Sequence, residues 1–389
     1  MEKFFIPPYV EAVINKIEYN GYEAWLVGGC VRDMLSGITP HDYDIASNAP
    51  CEAISSMFDR VIETGIRHGT VTVISDGQPI EVTRYRIDGD YADHRRPDSV
   101  NFTCEFKNDL ARRDFTVNAI GYNEKRGIFD CFGGKEDIER KILRTVGDAK
   151  RRFDEDALRI LRAIRFASTL GYTIENGTLT AIKSLSKTLH NVSAERIYSE
   201  VKKVLMGKAP SLIEIIIKNG GFEHLGIDDC DDLSPLDRVD ENLNVRIAIL
   251  LKLCRCNPSS VLSKLKAERI TRTTVGLIYT ALDENQPFDR CELKRLLQKH
   301  SAEDIFAILS AHKVLYGHEI LAAKDELRDI VEKNEPYLIR HLTIGGDDLA
   351  KMGISGEAVG RVLNDLLERA IIDPELNSPE KLKSIINSN

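Results

Sequence analysis

Asp42 and Asp44 stand two residues apart in HDYDI, and side chains two apart on a strand project from the same face. Two carboxylates so placed repel each other, and a divalent cation between them removes the conflict. Tyr43 and Ile45 then turn to the core. Upstream, Gly28 and Gly29 in LVGG let the backbone approach a ligand closely and offer N–H groups to an anion. Glu81 lies in PIEVTRYR, where Ile80 and Val82 face one way and Glu81 and Thr83 the other. Alone, Glu81 reads as a solvated surface residue. In the same small sheet as the aspartate pair, it reads as a third metal ligand. Three convergent carboxylates can hold two Mg²⁺ ions, which activate an attacking oxygen and stabilise a leaving phosphate. Phosphate beside metal-binding carboxylates points to nucleotide chemistry.

The elements that must position these residues follow from periodicity. Residues 5–20 read as a helix with Val10, Val13, Ile14 and Ile17 on its apolar side. Strands are expected at 22–27, 41–46, 69–75 and 80–86, with short helices at 31–35 and 50–58. This is an α+β domain built on a small mixed sheet. Residues 88–97, DGDYADHRRP, are charged and poor in apolar anchors, as in a surface loop. In ARRDFTVNAI, Asp114, Thr116 and Asn118 recur at period two or line one side of an irregular helix; both readings stand. Residues 129–134 read as a turn. From Phe153 to the stop at Gly171 a single strong helix is expected, with Asp156 and Arg159 on one face and Glu155–Arg159 as a competing surface i,i+4 pair. Ser193 opens a further helix through Leu205 with a capping-box-like start. Beyond 171 the pattern is helical throughout, with segments that include 210–219, 244–254, 272–282, 289–298, 317–334 and 359–370.

The 389 residues are 42% hydrophobic and 29% charged, as in an ordinary globular protein of two or more domains. No apolar run approaches the ~20 residues of a membrane span, and MEKFFIPPYV lacks the apolar core of a signal peptide. Eight cysteines are too sparse for a disulfide scaffold, and Cys254-x-Cys256 has no second pair at zinc-finger spacing. The expectation is a cytoplasmic protein with reduced thiols. A net charge of −8 argues against a general nucleic-acid coat, yet residues 107–165 carry 15 Lys/Arg against 11 Asp/Glu, a local phosphate-facing excess. His41, His68 and His94 have no metal-binding spacing. No P-loop and no Gly-x-Ser-x-Gly is present.

Five stretches carry a family resemblance: LVGGCVRD (26–33), HDYDI (41–45), RRDFTVNAI (112–120), FDEDALRILRAIRFA (153–167) and SAERIYSE (193–200). In order and spacing the chain resembles the bacterial class II tRNA nucleotidyltransferases, the CCA-adding enzymes. Their polymerase-beta-like superfamily also holds bacterial poly(A) polymerases. The resemblance implies a nucleotidyltransferase head at 1–150, a helical neck at 151–205, a helical body at 206–340 and a tRNA-binding helical tail at 341–389. TIGGDDLAKMGISG (343–356) resembles the entry to that tail, whereas 205–340 match no motif.

By the same resemblance, Asp42, Asp44 and Glu81 bind the catalytic metals, two Mg²⁺. Gly28, Gly29 and Arg32 sit at the triphosphate. Arg112, Asp114 and Asn118 fall in the ribose- and nucleotide-contacting motif, and Arg162 and Arg165 join the nucleotide-binding set. Asp156 and Arg159, the last two members of an EDxxR pattern, serve as an amino-acid template for the incoming base. Glu195, Arg196 and Glu200 brace the site. Asp88, Asp93 and Arg95 mark the flexible loop; because it is polar, lacks packing anchors and leaves the strand that carries Glu81, it is the candidate device for switching selection from C to A.

The activity implied is template-independent addition of CMP, CMP and AMP to the tRNA 3′ end from CTP and ATP. The partner implied is the tRNA acceptor region, with no DNA and no membrane, for a monomer or weak dimer. CC-only or A-only addition, poly(A) synthesis and a non-catalytic RNA-binding module are the alternatives. The full-length loop argues against CC-only addition, the lightly charged C-terminus against poly(A) synthesis, and the intact aspartate pair against a non-catalytic module.

Overall fold

The protein is described here by a computed structural model covering residues 3–88, 100–283 and 288–388. The chain forms two compact units, Met1–Cys230 with Lys264–Lys266, and Asp231–Ser263 with Ala267–Asn389. The expected borders at 150 and 205 fall inside the first unit, and that at 340 inside the second.

The first unit opens with α1 (Pro8–Tyr19), whose Val10, Val13, Ile14 and Ile17 are buried as their spacing demands. Then come β1 (Ala24–Val27), α2 (Gly29–Leu35), β2 (Asp44–Ser47), α3 (Cys51–Met57), β3 (Val61–Gly65), β4 (Thr70–Ser75) and β5 (Gln78–Arg84). A small hairpin of β6 (Arg86–Asp88) and β7 (Val100–Phe102) precedes α4 (Phe106–Ala111), β8 (Ile120–Asn123), β9 (Gly127–Asp130) and α5 (Gly134–Glu139). The main sheet has seven strands in the order β3-β4-β5-β2-β1-β8-β9. All of its neighbours are antiparallel except β2 and β5, which run parallel with Asp44 opposite Glu81. The mixed sheet is larger than the pattern predicts. The turn expected at 129–134 is instead the end of β9 followed by the start of α5.

Trp25 stacks on Phe106 with ring centroids 5.0 Å apart, and Tyr85 and Leu110 close the same core. This packing requires glycine at 121, because a Cβ there would stand 2.4 Å from the Phe106 ring. Four buried aromatic or apolar groups thereby pin α4, and the arginines that follow it, against the central strands.

A two-residue β10 (Ile142–Leu143) leads to α6 (Ala149–Glu155), α7 (Leu158–Leu170), β11 (Thr173–Ile174), α8 (Asn176–Leu185), α9 (Ala194–Leu205) and α10 (Glu214–Ile217). The single helix expected from Phe153 is two. Asp156 is extended (φ −144°, ψ 104°), and its carboxylate accepts the Leu158 N–H at 3.0 Å. A short side chain that caps the next helix competes with helix continuation at its own position. Gly171, at φ 72°, ends α7 as expected. Ser193 makes no side-chain cap on α9, so the capping-box reading there does not hold.

In the second unit, helices include Leu243–Leu253, Arg269–Ala281, Arg290–Leu297, Ala302–Tyr316, Leu321–Glu332 and Glu357–Ile372. A true capping box, Asp289 with Glu292, opens the helix at Arg290. The helix expected from 317 begins only at Leu321, because Gly317 (φ 70°) terminates the preceding one. Lys294 is 1% exposed and ties Glu335 (2.8 Å) to the Ile371 carbonyl (2.9 Å). Among the described residues, no helix is long and apolar enough to cross a membrane.

Candidate functional site

Between the central strands and α7 lies a cleft of about 550 Å³. Gly28, Gly29 and Arg32 from the β1–α2 corner form one side, and Asp44 and Glu81 from β2 and β5 form the floor. Arg112, Arg113, Asp114 and Asn118 follow α4, while Asp156, Arg159, Arg162 and Phe166 come from α7 and its preceding joint. Arg196 reaches in from α9. The lining holds six arginines and four carboxylates. A site with that excess attracts anions although the whole chain is negative.

Gly28 occupies the left-handed region (φ 77°), where a side chain is strained, and a Cβ there would lie 3.1 Å from Arg113 Nη1 and 3.9 Å from Asp44 Oδ2. The glycine therefore lets α2 start directly against the carboxylate floor. Tyr43 and Ile45 are buried while Asp42, Asp44 and Glu81 are exposed, the alternation expected. Asp42, however, precedes β2 in a bend and does not line the cleft. Among the described residues, no group of three His, Cys, Asp or Glu side chains is arranged to hold a metal ion. Asp44 reaches solvent through the open cleft, yet the surrounding walls strip part of its hydration and push its carboxyl above the usual range; Glu81 adds to the rise, Arg113 opposes it and Asp42 raises it further. That crowding of hard oxygen donors is the electrostatic condition a divalent cation relieves, so the residues fit Mg²⁺.

The arginines are held by buried acceptors. Asp109 is fully buried and accepts from Arg112 Nε and Nη2 (2.9 and 2.8 Å) and from Arg113 Nη2 (3.3 Å). Arg32 donates from Nη1 to Asn118 Oδ1 (2.7 Å) and from Nε to Asp33 (2.9 Å). Asn118 in turn donates to Asp114 (3.3 Å), which also takes the Phe115 N–H (2.9 Å) and Arg162 Nε (2.8 Å). Burial alone would raise the Asp114 carboxyl. The bonded Arg162 guanidinium, with Arg159 and Asn118, overrides that and holds it at about 2. Residues 114–118 are neither strand nor regular helix but an irregular passage ending in a 3₁₀ turn at Thr116–Asn118.

Asp156 and Arg159 both line the cleft, and the Arg159 N–H donates to the Asp156 carbonyl (2.9 Å), but their side chains take different partners. Arg196 Nη2 donates to Asp156 Oδ2 (3.2 Å), while Arg159 Nη1 donates to Glu155 Oε2 (2.7 Å) and Nη2 to the Arg112 carbonyl (3.3 Å). The Glu155–Arg159 pair thus forms, yet it is largely buried rather than on the surface.

Two further residues depart from expectation. Arg165 does not line the cleft: it packs on Phe166 and donates to Glu200 (3.3 Å). Glu195 points outward, to Lys266, so only Arg196 and Glu200 of α9 brace this region. Asp93 and Arg95 lie outside the described residues, and Asp88 ends β6. Arg113 and Phe166 are cleft residues the sequence reading did not single out. Their signals are adjacency to Arg112 and the i,i+4 step from Arg162.

Strand carboxylates in register on a seven-stranded head, facing an arginine-rich cleft closed by helices, define a nucleotidyltransferase of the polymerase-beta type. Residues 24–144 match the poly A polymerase head domain family, and 171–226 match a family described as the probable RNA and SrmB-binding site of polymerase A. The chain is 36% identical over 385 residues to the CCA-adding enzyme of Staphylococcus haemolyticus, covering 95% of this chain and 94% of that one. The crystal structure of the Bacillus stearothermophilus CCA-adding enzyme in complex with CTP superposes with a TM-score of 0.78 at 28% identity, covering 98% and 99% of the two chains. The Thermotoga maritima CCA-adding enzyme complexed with tRNA_CCA shares the fold, with a TM-score of 0.71 at 21% identity over 98% and 96% of the chains. The chain belongs to the CCA-adding enzyme family.

Proposed function

We propose that the protein adds CMP, CMP and AMP in turn to the 3′ end of tRNA, using CTP and ATP, releasing pyrophosphate and copying no nucleic-acid template. The observation that carries this reading is the placement of Asp156 and Arg159 in the cleft that also holds Asp44, Glu81 and the arginines, each fixed by its own partner. Cytosine and adenine both present an exocyclic amine donor beside a ring acceptor, whereas uracil and guanine present a carbonyl beside a ring N–H. A carboxylate only accepts and a guanidinium only donates. The pair therefore matches C and A, and meets U and G with acceptor against acceptor and donor against donor.

Asp44 and Glu81, joined by Asp42, would hold Mg²⁺. When bound, the metal supplies neutralisation of phosphate charge and a more acidic primer 3′-hydroxyl. Arg32, Arg112 and Arg113 orient the triphosphate, and Gly28 and Gly29 let it lie close to the backbone. Asp114 and Asn118 act through their neighbours, aiming Arg162 and Arg32 respectively. Arg165 serves from behind, through Phe166 and Glu200.

The acceptor region of tRNA is the proposed partner, bound through phosphate contacts along the helical segments without base readout. Action as a monomer or weak dimer is proposed, with tRNA maturation in the cytoplasm. The four-part head, neck, body and tail division is retained as a reading of the two compact units. Incubating the protein with a tRNA transcript lacking CCA, CTP and ATP, then sequencing the products, tests the reading. Products ending in a single CCA are expected. Poly(A) tails, CC ends or no extension would reject it.

A further inference from the structure

Phe166 sits on α7 and lines the cleft beside Arg32 and Arg162, with Arg165 packed on its ring. Its ring centroid lies 4.1 Å from the guanidinium carbon of Arg165, 5.4 Å from that of Arg162 and 5.5 Å from that of Arg32. Phe115 meets the same ring edge-on, with centroids 5.6 Å apart and planes at 78°. Phe166 itself is only partly buried and lines the cleft.

Three cations around one small ring repel one another. Each has one carboxylate partner, Asp33 for Arg32, Asp114 for Arg162 and Glu200 for Arg165, so ion pairing alone neutralises them without drawing them together. The ring adds what the carboxylates lack, one shared π-system whose negative faces attract the guanidiniums around it. An aliphatic side chain of similar size would fill the space but would not offset the repulsion. Arg165 registers the crowding: burial lowers its proton affinity, and Arg162 and Arg32 lower it further.

We infer that Phe166 is a positioning residue, an aromatic platform that gathers Arg32 and Arg162, with Arg165 behind them, into one cationic wall for the polyphosphate of the incoming nucleotide. The inference rests on the proposed function in taking that wall as the polyphosphate side of the cleft. Phe166 never touches the reacting atoms. It fixes where positive charge stands before a nucleotide arrives, and it favours CTP and ATP equally because the polyphosphate is common to both.

The test replaces the ring at 166 with mono-, di- and trifluorinated phenylalanine, which keep its shape while draining its face. In the full-length protein, KM for CTP and for ATP should rise stepwise with fluorination, reaching about tenfold, the scale of one to two such contacts. The inhibition constant of inorganic pyrophosphate should rise by the same factor, and kcat should change by less than about twofold. Phe166→Tyr should stay close to the parent, and Phe166→Leu should resemble the most fluorinated ring. KM and pyrophosphate inhibition that stay flat across the fluorinated series would overturn the inference, since a purely space-filling ring is indifferent to fluorine. Arg32→Lys and Arg162→Lys separate the two levels. If they weaken pyrophosphate inhibition while fluorination does not, the platform alone is wrong. If they leave it unchanged, the polyphosphate assignment of this wall is wrong and the platform falls with it.

Discussion

Asp156→Asn changes one atom and isolates the proposed template. Oδ1 of Asp156 accepts the Leu158 N–H at 3.0 Å, and an amide oxygen can keep that bond, so the start of α7 survives. The other position, now an NH₂, faces Arg196 Nη2, which stands 3.2 Å from Oδ2 in the parent. Donor then opposes donor, both toward Arg196 and toward the exocyclic amine of C or A. Because the Asp156–Arg196 pair is partly exposed, its loss should cost about 1 kcal/mol or less in stability. The unpaired donor in the closed site costs about 1–3 kcal/mol, or about 5- to 150-fold in kcat/KM for CTP and ATP. Uracil and guanine gain a donor for their carbonyl but still meet Arg159 with a ring N–H, so their rates should fall less or rise. The assay is single-nucleotide addition, with CTP against UTP on a transcript ending before CCA, and ATP against GTP on one ending in CC. The CTP:UTP ratio should narrow by about tenfold or more. An unchanged ratio in a variant that melts with the parent would refute the template assignment.

Other consequences can be checked alongside. Asp44→Ala should abolish both CMP and AMP incorporation while tRNA binding, measured by filter retention, stays within about twofold; chelation by EDTA should mimic it reversibly. Gly28→Ala places a Cβ 3.1 Å from Arg113 Nη1 at a positive φ, so about 1 kcal/mol of strain and about a tenfold fall in kcat/KM are expected from a folded protein. The Asp114 carboxyl falls from 3.8 to about 2 on folding, so its stabilisation is complete above about pH 4 and is lost as pH drops through about 2. The unfolding free energy from urea titrations between pH 5 and 2 should decline by about 2 kcal/mol less in Asp114→Asn than in the parent. Lys294→Met leaves the Ile371 carbonyl without its 2.9 Å donor and removes one of two cations from Glu335, so the unfolding free energy from urea titration should drop by about 2–4 kcal/mol.

Local patterns in the sequence carried the strands and the helix faces because alternation and the 3.6 period are written residue by residue. Val10 to Ile17 on α1 and the buried Tyr43 and Ile45 against the exposed Asp44 behaved as read, whereas Asp42 falls before the strand. What failed was anything decided by competition between backbone and side chain. Asp156 breaks a helix whose apolar spacing runs straight through it, because its carboxylate finds a better use at the Leu158 N–H. Residues 114–118 kept two readings in sequence because neither period governs them: the Asp114 network and the Phe115 core do. Arginine partners were also illegible. Nothing local says that Arg112 and Arg113 share Asp109, that Arg162 answers to Asp114 across 48 positions, or that Glu195 turns away while Arg196 turns in.

The joint at Asp156 also bears on how errors arise. On the proposed template reading, information usually kept in a nucleic-acid strand is stored in tertiary structure, spread over the end of α6, the start of α7 and one arginine of α9. Such a record has a melting behaviour of its own. Loosening the joint by heat would blur which base is accepted while the sheet, the floor carboxylates and the arginine wall still stand. Fidelity would then fail at a lower temperature than activity, and misincorporated ends would mark thermal stress before unextended ones do.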